Sequence, residues 1–105
     1  MDTIENPITG AKISIAKKEF PEKLTWTEAK KNCASLGDGW RLPTIEELRE
    51  IFLHKNEIDG FKGQYYWSCT EHEDIDLAWC YDFHNKNKAD MGKYHRYSVR
   101  AVKPL

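Results

Sequence analysis

The sequence predicts an α+β domain, two helices packed on a small twisted antiparallel sheet. Two Thr-x-x-Glu capping boxes, Thr25 with Glu28 and Thr44 with Glu47, each open a stretch with apolar residues at helical spacing. Beyond Phe61 that period stops, and three segments rich in aromatic and β-branched residues follow. Helices first and strands after, joined by short links, belong to the α+β class.

At 105 residues the chain, 1–105, is a single domain. Hydrophobic residues at 40% and charged residues at 31% make it globular rather than disordered. Four Trp, five Tyr and four Phe supply bulky core material, which a domain this small needs to offset its ordering entropy. A net charge of −1 with interspersed signs favours neither nucleic acid nor an anionic membrane, and there is no apolar run long enough to span one. The start lacks the basic and apolar regions of a signal peptide. The chain therefore reads as cytoplasmic if Met1 is its native start, and otherwise as secreted or at the cell surface. Three cysteines cannot all pair internally, which favours a reducing compartment.

Residues 1–23 form an extended leading segment, with Ile13 and Ile15 in a short strand and Ile4, Ile8 and Phe20 as further candidates; Pro7 and Gly10 interrupt it. In the first helix Trp26, Ala29, Cys33 and Leu36 form the buried face, Leu24 and Ala29 the staple, and Gly37 the left-handed stop. The second helix follows Pro43, buries Ile45, Leu48, Ile51 and Phe52, and fades near His54. Between the helices Trp40 and Leu42 alternate into the core, and Arg41 points the other way. Residues 65–70, 77–83 and 97–103 read as strands, with Trp79, Tyr81 and Phe83 on one face and Cys80 and Asp82 on the other. Residues 71–76 form an acidic loop, and 84–96 a long, mostly basic one.

In order, the motifs are Trp26-x-Glu28-Ala29-x-x-x-Cys33, then Gly39-Trp40-Arg41-Leu42-Pro43-Thr44-x-x-Glu47-Leu48. Tyr66-Trp67-Ser68-x-Thr70, Ala78-Trp79-x-Tyr81-x-Phe83 and Val99-Arg100-Ala101-Val102 follow. Together, over residues 24–103, they resemble the Lcl C-terminal domain family, a bacterial domain of largely unknown function. The resemblance implies a C-type-lectin-like fold with its chain ends brought together, and a binding or adhesion role rather than catalysis. The family's adhesin is associated with glycan binding.

The chemistry-bearing residues offer three readings. A binding surface on the late strands would use Tyr81, Asp82, His84, Asn85, Tyr94, His95 and Arg96, with Lys86 and Tyr97 beside them: aromatic faces stack on rings while Asn, Asp and Arg fix hydrogen bonds. Cys69, His72, Cys80 and His84 have zinc-like spacing. A strand carrying Cys80 and His84 would hold them ~13 Å apart, too far for one ion unless it turned back after Phe83. The plainer reading sets Cys69 and Cys80 as neighbours on adjacent strands and Cys33 as an inert core thiol. Calcium-dependent lectins of this fold use Glu-Pro-Asn or Gln-Pro-Asp with Trp-Asn-Asp, and neither motif occurs.

The expected function is therefore a non-catalytic, calcium-independent module for a protein or glycan ligand, with no cofactor and no bound metal. The alternatives are a small zinc- or cysteine-dependent enzyme, and a structural domain that forms a homo-oligomer. Trp26, Trp40, Trp67 and Trp79 are assigned to the scaffold, as are Arg41 and Glu47. Arg41 is expected to form a partly buried, bidentate latch to a carboxylate beside a helix cap, Glu47 or Glu28.

Overall fold

The computed structural model, which describes residues 3–58 and 60–105, places both helices directly behind their capping boxes. Residues 1 and 2 of the leading segment, and Asp59, lie outside the described residues. The order is β1 (Thr3–Glu5), β2 (Lys12–Ile15), α1 (Trp26–Ser35), α2 (Ile45–Leu53), β3 (Tyr65–Glu71), β4 (Leu77–Asp82), β5 (Asn87–Gly92) and β6 (Val102–Pro104). A 3-10 turn, Lys55–Glu57, follows α2.

At α1, Thr25 Oγ1 accepts the Glu28 N–H at 3.3 Å and Glu28 Oε1 accepts the Thr25 N–H at 3.0 Å. At α2 the same exchange runs between Thr44 and Glu47 at 3.1 and 2.9 Å, and Thr70 of β3 accepts the Ile45 N–H at 3.0 Å. Helix α1 stops at Gly37, whose φ of +76° a side chain would oppose.

Among the described residues the strands form two antiparallel three-stranded sheets, β1-β2-β6 and β3-β4-β5. The first brings the C-terminal strand back against the N-terminal ones. In the second, Tyr66, Tyr81 and Lys88 are aligned on one face, and Trp67, Cys80 and Ala89 on the other. Tyr66 and Tyr81 pack with Ile45, Leu48 and Ile51 of α2. Trp67 and Cys80 pack with Trp26, Ala29 and Cys33 of α1. The second sheet is thus enclosed between the helices, and the core has two halves.

Leu36, expected on the buried face of α1, is exposed just past its end, and four other expectations need correction. Residues 84–96 are not one loop, because β5 lies within them. Its sequence lacks the β-branched and aromatic residues that mark strands, and it is recruited by β4 through the tight turn at residues 83–86. Residues 97–103 are not one strand, since regular pairing begins at Val102. The preceding residues change partner at almost every step, from Leu24 to Tyr65 and Trp67, then Phe20, then Ala16. Ile8 is exposed in the β1–β2 turn, and Phe20 lies outside any strand. Finally, Trp40 is only half-buried and lies under Lys103 Nζ, 5.0 Å from its ring centroid.

Trp26 and Trp67 are buried, and their indole N–H groups donate to Ser68 O and Leu24 O, both at 2.8 Å. Arg100, missed by sequence reasoning as a structural group, is 1% exposed. Its Nε donates to Ala16 O at 2.6 Å, a second nitrogen reaches Lys17 O at 3.0 Å, and the guanidinium lies 4.4 Å over the Phe61 ring.

Candidate functional site

A groove of about 380 Å³ opens between α2 and the β4–β5 hairpin. Helix α2 contributes Ile45, Glu46 and Arg49, strand β4 contributes Tyr81, and the hairpin contributes Lys86, Asn87 and Lys88. It exists because α2 covers Tyr66 and Tyr81 but stops short of β5, leaving a channel along the edge of the sheet. Burial pushes the Tyr81 hydroxyl above its ordinary pKa, and the charge of nearby Arg49 works against that shift. Arg49, Lys86 and Lys88 form no ion pair among the described residues, unlike Arg41, Lys93 and Arg96. Of these groove residues, only Tyr81 and Lys86 were singled out from the sequence. Arg49 was hidden because a solvent-facing arginine on an amphipathic helix looks the same whether or not a hairpin lies opposite it.

The residues expected to share one binding surface are divided between opposite ends of the β4–β5 hairpin. Tyr81, Asp82, His84 and Asn85 are at the turn end, while Tyr94, His95 and Arg96 follow the far end of β5, about 17 Å away along a six-residue strand. Asp82 is buried and organises the turn. Its Oδ1 accepts the N–H groups of His84 at 2.9 Å and Asn85 at 3.1 Å, and the Asn85 amide donates to Oδ2 at 2.7 Å. Burial opposes its ionisation, but these bonds and one from Gln64 outweigh it and hold the carboxyl below its usual pKa. At the far end Tyr94 is 77% exposed and stacks on His95, with ring centroids 4.4 Å apart. Arg96 is engaged by Glu28 at 2.7 Å.

The zinc-spaced residues are also dispersed. The chain does turn back after β4, yet His84 lies exposed in that turn. Cys69 and Cys80 do lie on adjacent strands, β3 and β4, but the register sets Cys80 opposite Trp67, and Cys69 falls in the irregular stretch between Trp67 and Glu71. The Cys69 N–H instead donates to Pro43 O at 2.8 Å, and all three cysteines are free thiols. Burial raises the pKa of Cys33 and of Cys80 to about 12, and raises that of Cys69 as well. His72 stacks on half-buried Trp79 at 5.0 Å and contacts Asp90 at 3.3 Å. No group of three or more His, Cys, Asp and Glu side chains arranged to hold a metal ion occurs among the described residues.

Arg41 meets Glu47 in a bidentate pair, at 2.7 and 3.1 Å. Its backbone exchanges two hydrogen bonds with Val102, at 2.8 and 2.9 Å. Glu47, 1% exposed, also accepts the Asn6 amide at 2.8 Å, and Asn6 in turn caps the β1–β2 turn through the N–H groups of Ile8 and Thr9. Burial works against ionisation of Glu47, but Arg41, Thr44 and Asn6 prevail and keep its carboxyl below the usual pKa. One carboxylate therefore ties together α2, the link between the helices and the first sheet.

Two small sheets, two capped helices and a lateral groove define a compact α+β domain. The family model for the Lcl C-terminal domain matches residues 9–103, and the chain belongs to that family. Curated protein sequences contain no match. Among solved structures, a chain in the complex of a mutant von Willebrand factor A1 domain with botrocetin is similar, with a TM-score of 0.62. The likeness covers 99% of this chain and 97% of that one at 11% identity, so it concerns the fold alone. No helix among the described residues is long and apolar enough to cross a membrane.

Proposed function

We propose that this is a non-catalytic, calcium-independent binding module of C-type-lectin-like fold, whose protein or glycan ligand occupies the groove between α2 and the β4–β5 hairpin. The observation that carries the reading is the convergence of Arg49, Lys86 and Lys88, none ion-paired among the described residues, on one concavity with Tyr81 and Ile45 beside them. A guanidinium fork matches a carboxylate, and the aromatic and aliphatic walls suit a flat or apolar body next to it. The ligand is thus an acidic one.

Several features support the rest. The likeness to a chain of the botrocetin complex and the return of β6 onto β2 both suit a lectin-like architecture. In the acidic loop at residues 71–76, Asp74 Oδ1 accepts the Asp76 N–H at 2.9 Å, and Glu71 meets Lys93 at 3.5 Å. Thiols whose pKa is raised by burial are poor nucleophiles.

The test is an array of acidic oligosaccharides and acidic peptides, with calorimetry on the hits in the presence of a chelator. Arg49→Ala combined with Lys86→Ala should weaken binding about tenfold or more, since two charge-assisted contacts are lost, while the melting temperature is unchanged. Full-strength binding by that variant would move the site elsewhere.

A further inference from the structure

Among the described residues strand β5 is the edge of its sheet, paired with β4 on one side only. The hydrogen bonds show which of its backbone groups face the free side. The Phe83 N–H donates to Gln64 O at 2.8 Å, and Trp79 O accepts the Ser68 hydroxyl at 2.6 Å, so odd-numbered residues along β4 direct their backbone towards β3. Even-numbered ones face β5, as Asp82 O does in accepting the Lys86 N–H at 2.9 Å. Asn87, Ala89 and Met91 therefore bond to β4, and Lys88 and Asp90 direct N–H and C=O outward.

We propose that this edge joins two copies of the chain, β5 to β5, antiparallel about a two-fold axis at Ala89. Backbone bonds form only between residues that both face outward, which leaves few registers. Lys88 opposite the partner's Lys88, or Asp90 opposite the partner's Asp90, sets like charges face to face, which is destabilising. The register centred on Ala89 sets Lys88 opposite the partner's Asp90 twice, with paired backbone bonds at each position. Charges on an edge normally deter pairing; here their order deters the wrong registers and matches one. Both side chains already lie on one sheet face, Asp90 held by His72 at 3.3 Å and Lys88 over Trp79 at 4.6 Å. The contact is small, so the dimer is weak and salt-sensitive, and it brings two grooves side by side for bivalent capture. In the dimer Lys88 is committed to the partner's Asp90, so Arg49 and Lys86 are the cations left to the groove.

Sedimentation equilibrium up to ~1 mM protein, at low salt, tests it on the wild type, Lys88→Glu, Asp90→Lys and their equimolar mixture. The wild type should dimerise, and each single variant should raise the dissociation constant about tenfold or more. The mixture should restore a one-to-one dimer, because the acid introduced at position 88 meets the base introduced at position 90. Lys88→Pro, which removes an outward N–H and leaves the bonds to β4 intact, should abolish association even if a charge variant folds poorly. A wild type that stays monomeric overturns the proposal. So does unchanged association of the single variants, or a mixture that stays monomeric.

Discussion

Two arginine–glutamate pairs among the described residues, Arg41–Glu47 and Arg96–Glu28, share a closest approach of 2.7 Å, and each uses the glutamate of a helix capping box. Arg41–Glu47 is closed over by the first sheet, so that Glu47 is 1% exposed; Arg96–Glu28 lies in solvent, with both side chains exposed. Distance alone makes them equals. Water makes them different, because an exposed pair is screened and exchanges one set of hydrogen bonds for another, whereas a buried carboxylate deprived of its partner has no replacement. The first pair is a structural joint and the second a surface contact.

The sharpest way to break this comparison is Arg41→Ala. It leaves the Glu47 charge buried with only Asn6 and Thr44 to stabilise it, and should lower the unfolding free energy by about 3–5 kcal/mol in urea denaturation. Binding in the groove should persist wherever that variant is folded, since Arg41 does not line it. Glu47→Gln should cost less, about 1–3 kcal/mol, because the stranded Arg41 is 36% exposed and reaches water. Asn6→Ala removes one bond to Glu47 and the cap of the β1–β2 turn, and should cost about 1–2 kcal/mol. Arg96→Ala should leave the urea midpoint within error at physiological salt.

Acid titration gives the comparison a second axis. The carboxyl of Glu47 is lowered from 4.5 in the folded state, so its contribution is fully present above that pH and is lost as pH falls through the folded value. Without Arg41, two of the influences that oppose burial are lost and the carboxyl shifts upward from its wild-type position. The stability gap between wild type and Arg41→Ala should therefore narrow as the pH is taken below 4.5, as measured by urea midpoints across that range.

The parts legible in the sequence were those encoded locally. Thr25 and Glu28, or Thr44 and Glu47, sit three residues apart and meet whatever the rest of the chain does. They narrowed the partner of Arg41 to Glu47 or Glu28, because a charged residue in a short extended link has few carboxylates within reach; which of the two it meets is set by the packing. Strand β5 was not legible, since Lys88-Ala89-Asp90 carries no strand preference of its own and is held by β4. The groove was hidden for a related reason: Arg49 and Lys86 are brought together by the packing of α2 on the hairpin, a contact with no local signature. The turn-capping role of Asp82 was not legible, because a carboxylate that caps its own turn has the same sequence context as one that faces a ligand.

The difference between the buried and the exposed pair is measured by two double-mutant cycles, Arg41→Ala with Glu47→Ala and Arg96→Ala with Glu28→Ala, read by equilibrium unfolding. A coupling of about 2–3 kcal/mol at the first pair and none beyond error at the second is the predicted result. Equal couplings at the two pairs would contradict it, and would show that separation rather than burial sets what these ion pairs contribute.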